Sequence, residues 1–170
     1  MSYPSILQAW MGAGYTIRNF GVNSTTMLRK GNKPYWDQPE YQEALNFNPD
    51  IIILELGTND SKPENWVYYS GEFEKDYTDM VLSFKALASQ PRMILVLPPP
   101  EFAEAYYVND STVRNAIIPI IKNISFATGC EYFDLYNPML PYRWAFFPDG
   151  RHPTSIGTSI MAELYYRYFH

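Results

Sequence analysis

Apolar residues gather into short runs along the chain, and four of these have the composition of β-strands. Gly14–Gly21 (GYTIRNFG) alternates between apolar and polar positions. Asp50–Gly57 (DIIILELG) and Arg92–Pro100 (RMILVLPPP) are apolar at successive positions, which predicts burial of both faces. Cys130–Tyr136 (CEYFDLY) is the fourth run. Strands buried on both faces belong to parallel sheets covered by helices on each side.

Between the runs the period changes to that of a helix. Tyr3–Met11 opens the chain with an apolar stripe, and Pro39–Leu45 reads as a short helix. Glu72–Ala88 places Phe73, Tyr77, Met80, Val81, Phe84 and Leu87 at helical spacing. Asp110–Thr128 begins at a cap from Asp110 or Ser111, bends at Pro119 and stops at Gly129. Thr154–Tyr168 closes the chain, and its Ile156, Ile160, Leu164 and Tyr168 predict one buried face. Strand and helix alternate, which predicts an α/β three-layer domain. No repeat, low-complexity segment or linker interrupts it, so all 170 residues are expected to form one domain with its own core. Domains of this kind usually open with a strand. This chain opens in a helix, so its sheet is expected to lack a strand, a central one.

Composition narrows the function. The formal net charge is −5 and no run of Lys or Arg is present, which argues against nucleic-acid binding. No apolar stretch reaches the roughly eighteen residues of a membrane span. The single cysteine, Cys130, reads as a small buried hydrophobe. Two histidines and one cysteine do not make a usual transition-metal site, so neither metal nor cofactor is expected.

In α/β folds, sites form just beyond the C-terminal ends of parallel strands. Three such places carry candidate chemistry. After the first run comes NFGVNSTT, Asn19 to Thr26, a tight loop that offers backbone N–H groups to an anion or serves as a plain strand–helix turn. After the second comes LGTND, in which Gly57 permits a sharp turn and Asn59 carries an amide donor. Near the end comes FPDGRHPT. Asp149 lies three residues before His152, where a carboxylate bonds Nδ1–H and assigns Nε2 the part of a base. Pro153 suits the first position of the closing helix. Taken singly, each stretch reads first as a turn or a helix cap. His170, at the terminus, reads as solvated.

In this order the three stretches resemble the SGNH (GDSL-type) hydrolases, over the whole chain. NFGVNSTT matches the family's second block, GTND its third and DGRHP its last. The context GTNDSKPENW, LPPP and FPDGRHP is similar to the carbohydrate acetyl esterase branch, sialate O-acetylesterases included. The resemblance implies a flavodoxin-like α/β/α fold and a serine esterase that removes O-acetyl groups from a small-molecule or glycan ester. It implies His152 as base and Asp149 as its orienting acid. Asn59, the Ser24 N–H and the Gly57 turn would form the oxyanion hole. Ser24 stands where the family often has glycine. The family's G-D-S block, which carries the nucleophile, is matched nowhere in the 170 residues. Roughly 20–30 residues are expected to be missing before Met1, a strand with its loop and half a helix. Ser5, Ser24 and Ser61 are poor substitutes, since none reads as a strained turn aimed at His152.

Two alternatives stand beside the esterase. One is a non-catalytic glycan-binding relative with Trp66, Trp144 and Tyr142 as stacking surfaces. The other is a chain completed by a partner strand, since a sheet short of a strand exposes apolar edges and predicts homo-oligomers or poor solubility.

Overall fold

The computed structural model describes residues 2–103 and 107–170. Three strands form a parallel sheet in the order β1-β2-β3: β1 is Ile51–Leu54, β2 Arg92–Leu97 and β3 Glu131–Asp134. The register pairs Ile53 with Ile94 and Val96 with Phe133. Alternation along β2 divides the core into two halves. Met93, Leu95 and Leu97 face one side, with Phe73, Tyr77, Met80 and Ile121; Ile94 and Val96 face the other, with Leu7, Met161 and Tyr165. The first side is covered by α2 (Pro39–Phe47), α3 (Pro63–Lys85) and α4 (Ile118–Thr128); the second by α1 (Tyr3–Met11) and α6 (Ser155–Phe169). A short helix α5, Tyr136–Met139, follows β3. The layering is the expected α/β/α.

Gly14–Gly21 is not a strand. It runs without a ladder, because β1 pairs only with β2 among the described residues. Its polar backbone is served from α1 instead: Gln8 Nε2 donates to the Tyr15 carbonyl at 3.0 Å, and its Oε1 accepts from the Ile17 N–H at 2.6 Å. Its apolar positions still pack, Ile17 toward the α1/α6 side and Phe20 toward the other.

The helices differ from expectation in detail. α3 begins nine residues before Glu72, with Pro63 in its first turn, and buries the stripe from Phe73 to Phe84. The segment leading into α4 starts from an Asn109 cap on the Thr112 N–H rather than from Asp110 or Ser111. A π-turn at Val113–Ile117 then precedes Pro119, so the missing proline N–H is absorbed where the helix widens. Gly129 ends α4 in the left-handed conformation, as expected. α6 is capped by Thr154, so Pro153 lies before the helix rather than at its first position. Its buried face is Thr158, Met161, Ala162 and Tyr165, while Ile156 is exposed. No helix among the described residues is long and apolar enough to cross a membrane.

Candidate active site

The loop after β1 carries the first polar group. Gly57 sits at φ +128°, and a Cβ there would lie 2.9 Å from Ile117 Cγ2, so the turn demands glycine. The chain then enters a short 3₁₀ turn, Asn59–Ser61. Asp60 is fully buried in it and accepts the Met27 and Leu28 N–H groups at 3.0 and 2.8 Å. These bonds dock the Asn19–Thr26 loop and its continuation onto the end of β1. Burial pushes the Asp60 carboxyl up to about 6 against the pull of those backbone donors. Asn65, also buried, donates to the Asn59 carbonyl at 2.8 Å.

Docked in this way, the loop brings Thr25 and Ser24 beside Asn59. Asn59 Nδ2 donates to the Thr25 carbonyl at 3.1 Å, and Asn59 Oδ1 accepts from Arg151 Nη2 at 2.5 Å. A guanidinium only donates, so Arg151 fixes which end of the amide is oxygen. One Nδ2 hydrogen goes to Thr25, and the other has no acceptor among the described residues. Ser24 is exposed and holds φ +64°, a conformation that glycine adopts more readily, which fits a position where the family often carries glycine.

The third loop is the FPDGRHPT stretch. Asp149 Oδ1 accepts the N–H groups of Arg151 and His152, both at 3.0 Å. Its Oδ2 lies 2.8 Å from His152 Nδ1. The histidine contact first, then the two backbone donors, hold the Asp149 carboxyl down at about 2. An ionised Asp149 calls for a proton on Nδ1, which assigns the base role to Nε2. Gly150, at φ +68°, accepts from the Phe102 N–H at 2.8 Å; a Cβ on it would meet the Ala103 nitrogen at 2.6 Å. The loop after β2 is thereby locked against the His152 loop.

Ser24, Gly57, Asn59, Glu101, Arg151 and His152 line one cavity of about 470 Å³. That volume suits a small-molecule ligand. All five residues singled out from the sequence therefore belong here, Asp149 by holding His152 and the other four by lining the cavity. The remaining serines do not join them. Ser5 sits on α1 bonded to Ser2, and the Ser61 hydroxyl donates to Thr58 and accepts from the Asn109 N–H. Of the suggested stacking rings, Trp66 packs on Phe73 in the core, while Trp144 is exposed beside Tyr142. No group of three or more His, Cys, Asp or Glu stands ready for a metal among the described residues.

Four functional-site residues escape a sequence reading. Arg151 lies between two singled-out residues, but nothing local ties it to Asn59. Asp60 looks like a turn former and acts as a long-range clamp. Glu101 follows three prolines, with no signal of burial. Glu55 lines the cavity with its carboxylate accepting the Tyr3 and Tyr165 hydroxyls, both at 3.0 Å, and burial raises its pKa.

Comparison with known proteins gives a consistent picture. Residues 1–160 match the GDSL-like lipase/acylhydrolase family. An acetylxylan esterase of Xylanibacter ruminicola is 36% identical over 179 aligned positions, which cover 95% of this chain and 37% of that protein. The chain thus spans little more than a third of that curated relative's length. An acetyl xylan esterase structure, AlAXEase, superposes with a TM-score of 0.73 at 19% identity, covering 99% of this chain and 91% of the other. The carbohydrate acetylesterase Est24 of Sinorhizobium meliloti gives 0.74 at 17%, covering 99% and 84%. At such identities these structures speak for the fold.

Proposed function

The chain belongs to the GDSL-like lipase/acylhydrolase family, and we propose that it forms the catalytic domain of a serine esterase that removes O-acetyl groups from carbohydrates. One observation carries the reading. Asp149 and His152 meet at 2.8 Å, and His152 lines the same cavity as Asn59 and Ser24. A base with its orienting acid shares a cavity with two amide donors, which is the set of groups acyl transfer needs. The acetylxylan esterase relative supports the carbohydrate class of substrate.

In this mechanism a serine Oγ attacks the acetyl carbonyl carbon while His152 Nε2 takes its proton. The new C–O bond leaves a negative charge on the carbonyl oxygen. Asn59 Nδ2–H and the Ser24 N–H stabilise that charge. Gly57 contributes the turn that presents Asn59, and the Arg151 guanidinium on Asn59 Oδ1 draws electron density from the amide and strengthens its N–H. Collapse breaks the bond to the sugar oxygen, which leaves with the proton from His152. Water then attacks the acetyl-enzyme with His152 again as base, and acetate and the free serine result. Asp149 stabilises the imidazolium in both steps. The nucleophile is a serine of the family's G-D-S block, which the 170 residues do not contain.

The test is acetate release from acetylated xylan and from p-nitrophenyl acetate. It compares the 170-residue chain with a form extended by the upstream coding sequence. Activity confined to the extended form, and lost on His152→Ala, is the expected result. An extended form with no G-D-S and no acetate release overturns the reading, and saturable glycan binding by that inert form would identify a binding relative instead.

A further inference from the structure

Arg151 lines the cavity with most of its donors unused. Nη2 donates to Asn59 Oδ1 at 2.5 Å, which fixes the guanidinium at the cavity wall. Nε and Nη1 have no acceptor among the described residues, and neither is sealed from solvent. A guanidinium has five N–H bonds, arranged as two double-donor edges that share Nη2. One acceptor on one Nη2 hydrogen interrupts at most one edge, so the other stays intact. Arg151 also forms no ion pair among the described residues. Glu101 is near enough to feel its charge, yet that carboxyl is buried and makes no ion pair with it. Asp149 is already taken by the His152 ring and by the N–H groups of Arg151 and His152.

We propose that the open edge of Arg151 binds a carboxylate on the substrate, so that the cavity selects acetyl esters of acidic sugars, of the uronic acid type, over those of neutral sugars. The inference rests on reading the cavity as an ester site.

The charge around the site favours one incoming negative group. The protein as a whole carries −5, yet Arg151 and Lys62 both line this cavity without an ion pair among the described residues. A half-buried cation has lost part of its solvation, and an anion from outside replaces it with charge-assisted bonds. The carboxylates lining the cavity compete weakly. Glu55 is occupied by the Tyr3 and Tyr165 hydroxyls, and burial pushes Glu101 up to about 7. Asp149 stays ionised, so a doubly charged phosphate group meets more repulsion than a carboxylate does. A planar carboxylate also matches a double-donor edge, with two parallel N–H···O bonds to its two oxygens. Arg151 precedes His152 in the chain and touches Asn59 in space. A carboxylate bound there and an acetyl group held by those two residues therefore belong to the same sugar or to adjoining ones.

The experiment follows the His152 ring signals of the 170-residue chain by NMR as ligand is added. The probes are an O-acetylated methyl glucuronide, its uncharged methyl ester, and the matching O-acetylated methyl glucoside 6-phosphate. The acid is expected to shift His152 and to bind about 10- to 100-fold tighter than its methyl ester, the difference that hydrogen bonds to a charged group supply. Arg151→Gln keeps an N–H for Asn59 and removes the charge. Whatever it does to both probes through Asn59, the ratio between acid and methyl ester should fall below about threefold. Equal binding of acid and methyl ester by the parent chain, a comparison that needs no variant, overturns the inference and leaves the ester reading standing. A ratio that survives Arg151→Gln also overturns it, because another group then reads the charge. Tighter binding of the phosphate than of the acid overturns the choice of a carboxylate. No shift at His152 with any probe overturns this inference and the ester reading together.

Discussion

Glu101→Gln is expected to stabilise the protein in a strictly pH-dependent way. The group's pKa rises from the ordinary 4.5 to about 7 on folding, chiefly through burial. A pKa raised in the folded state means that folding favours the protonated form. The stability it contributes is fully present below about 4.5 and is lost as pH climbs to about 7. At about 1.4 kcal/mol per pKa unit, the loss amounts to about 3 kcal/mol above neutrality. Glutamine has the same shape and never ionises, so it does not suffer this loss. It does bring an amide into a site built around a carboxyl, which adds an offset that is constant with pH. The informative quantity is thus the change in the difference between variant and parent. Urea unfolding followed by tryptophan fluorescence at pH 4, 5, 6, 7 and 8 measures it. The difference should grow by about 3 kcal/mol between the ends of the series, most steeply from about 4.5 to 7. In thermal melts that corresponds to about 6–12 °C for a domain of this size. A difference that stays flat across the series would refute the reasoning, because it would mean that the carboxylate is solvated or paired in the folded protein.

Three other outcomes test the site. Asp149→Asn should lower acetate release in the active form by about 10³- to 10⁴-fold with little change in KM, since the amide presents a donor or a weak acceptor to Nδ1 and misassigns the tautomer; steady-state kinetics on p-nitrophenyl acetate checks this, and a fall below about tenfold counts against the His152–Asp149 pair. Ser24→Ala should keep activity within about threefold because only its N–H is used, whereas abolition together with loss of fluorophosphonate labelling would make Ser24 the nucleophile. Gly57→Ala should destabilise the fold by about 2 kcal/mol or more, because φ is +128° and the new methyl meets Ile117 Cγ2 at 2.9 Å; an unchanged urea midpoint would show that the turn relaxes freely.

What a sequence discloses here depends on how far apart the interacting residues lie. β1, β2 and β3 were legible because burial on both faces writes itself into consecutive residues. Gly14–Gly21 has an equally good strand pattern, yet a strand exists only with a neighbour, and pairing is not encoded in the segment itself. The face of α6 was placed off-centre for a geometric reason. Residues spaced by four advance about 40° around the helix at each step, so Ile160, Leu164 and Tyr168 pack along the edge of the core and Ile156 is exposed, while Met161 and Tyr165 lie inside it. The Asp149–His152 pair was legible because three residues of loop set its geometry. Asn59 was legible by type, but its orientation depends on Arg151, 92 positions away. Asp60 shows the same limit, since its local turn chemistry conceals bonds to Met27 and Leu28. Glu101 is the extreme case: its burial leaves no mark in the sequence. A loop glutamate next to prolines should sit in water at no cost, and this one is held out of water at a cost of about 3 kcal/mol above neutral pH. The backbone bonds from Asp110 and Gly150 hold it there.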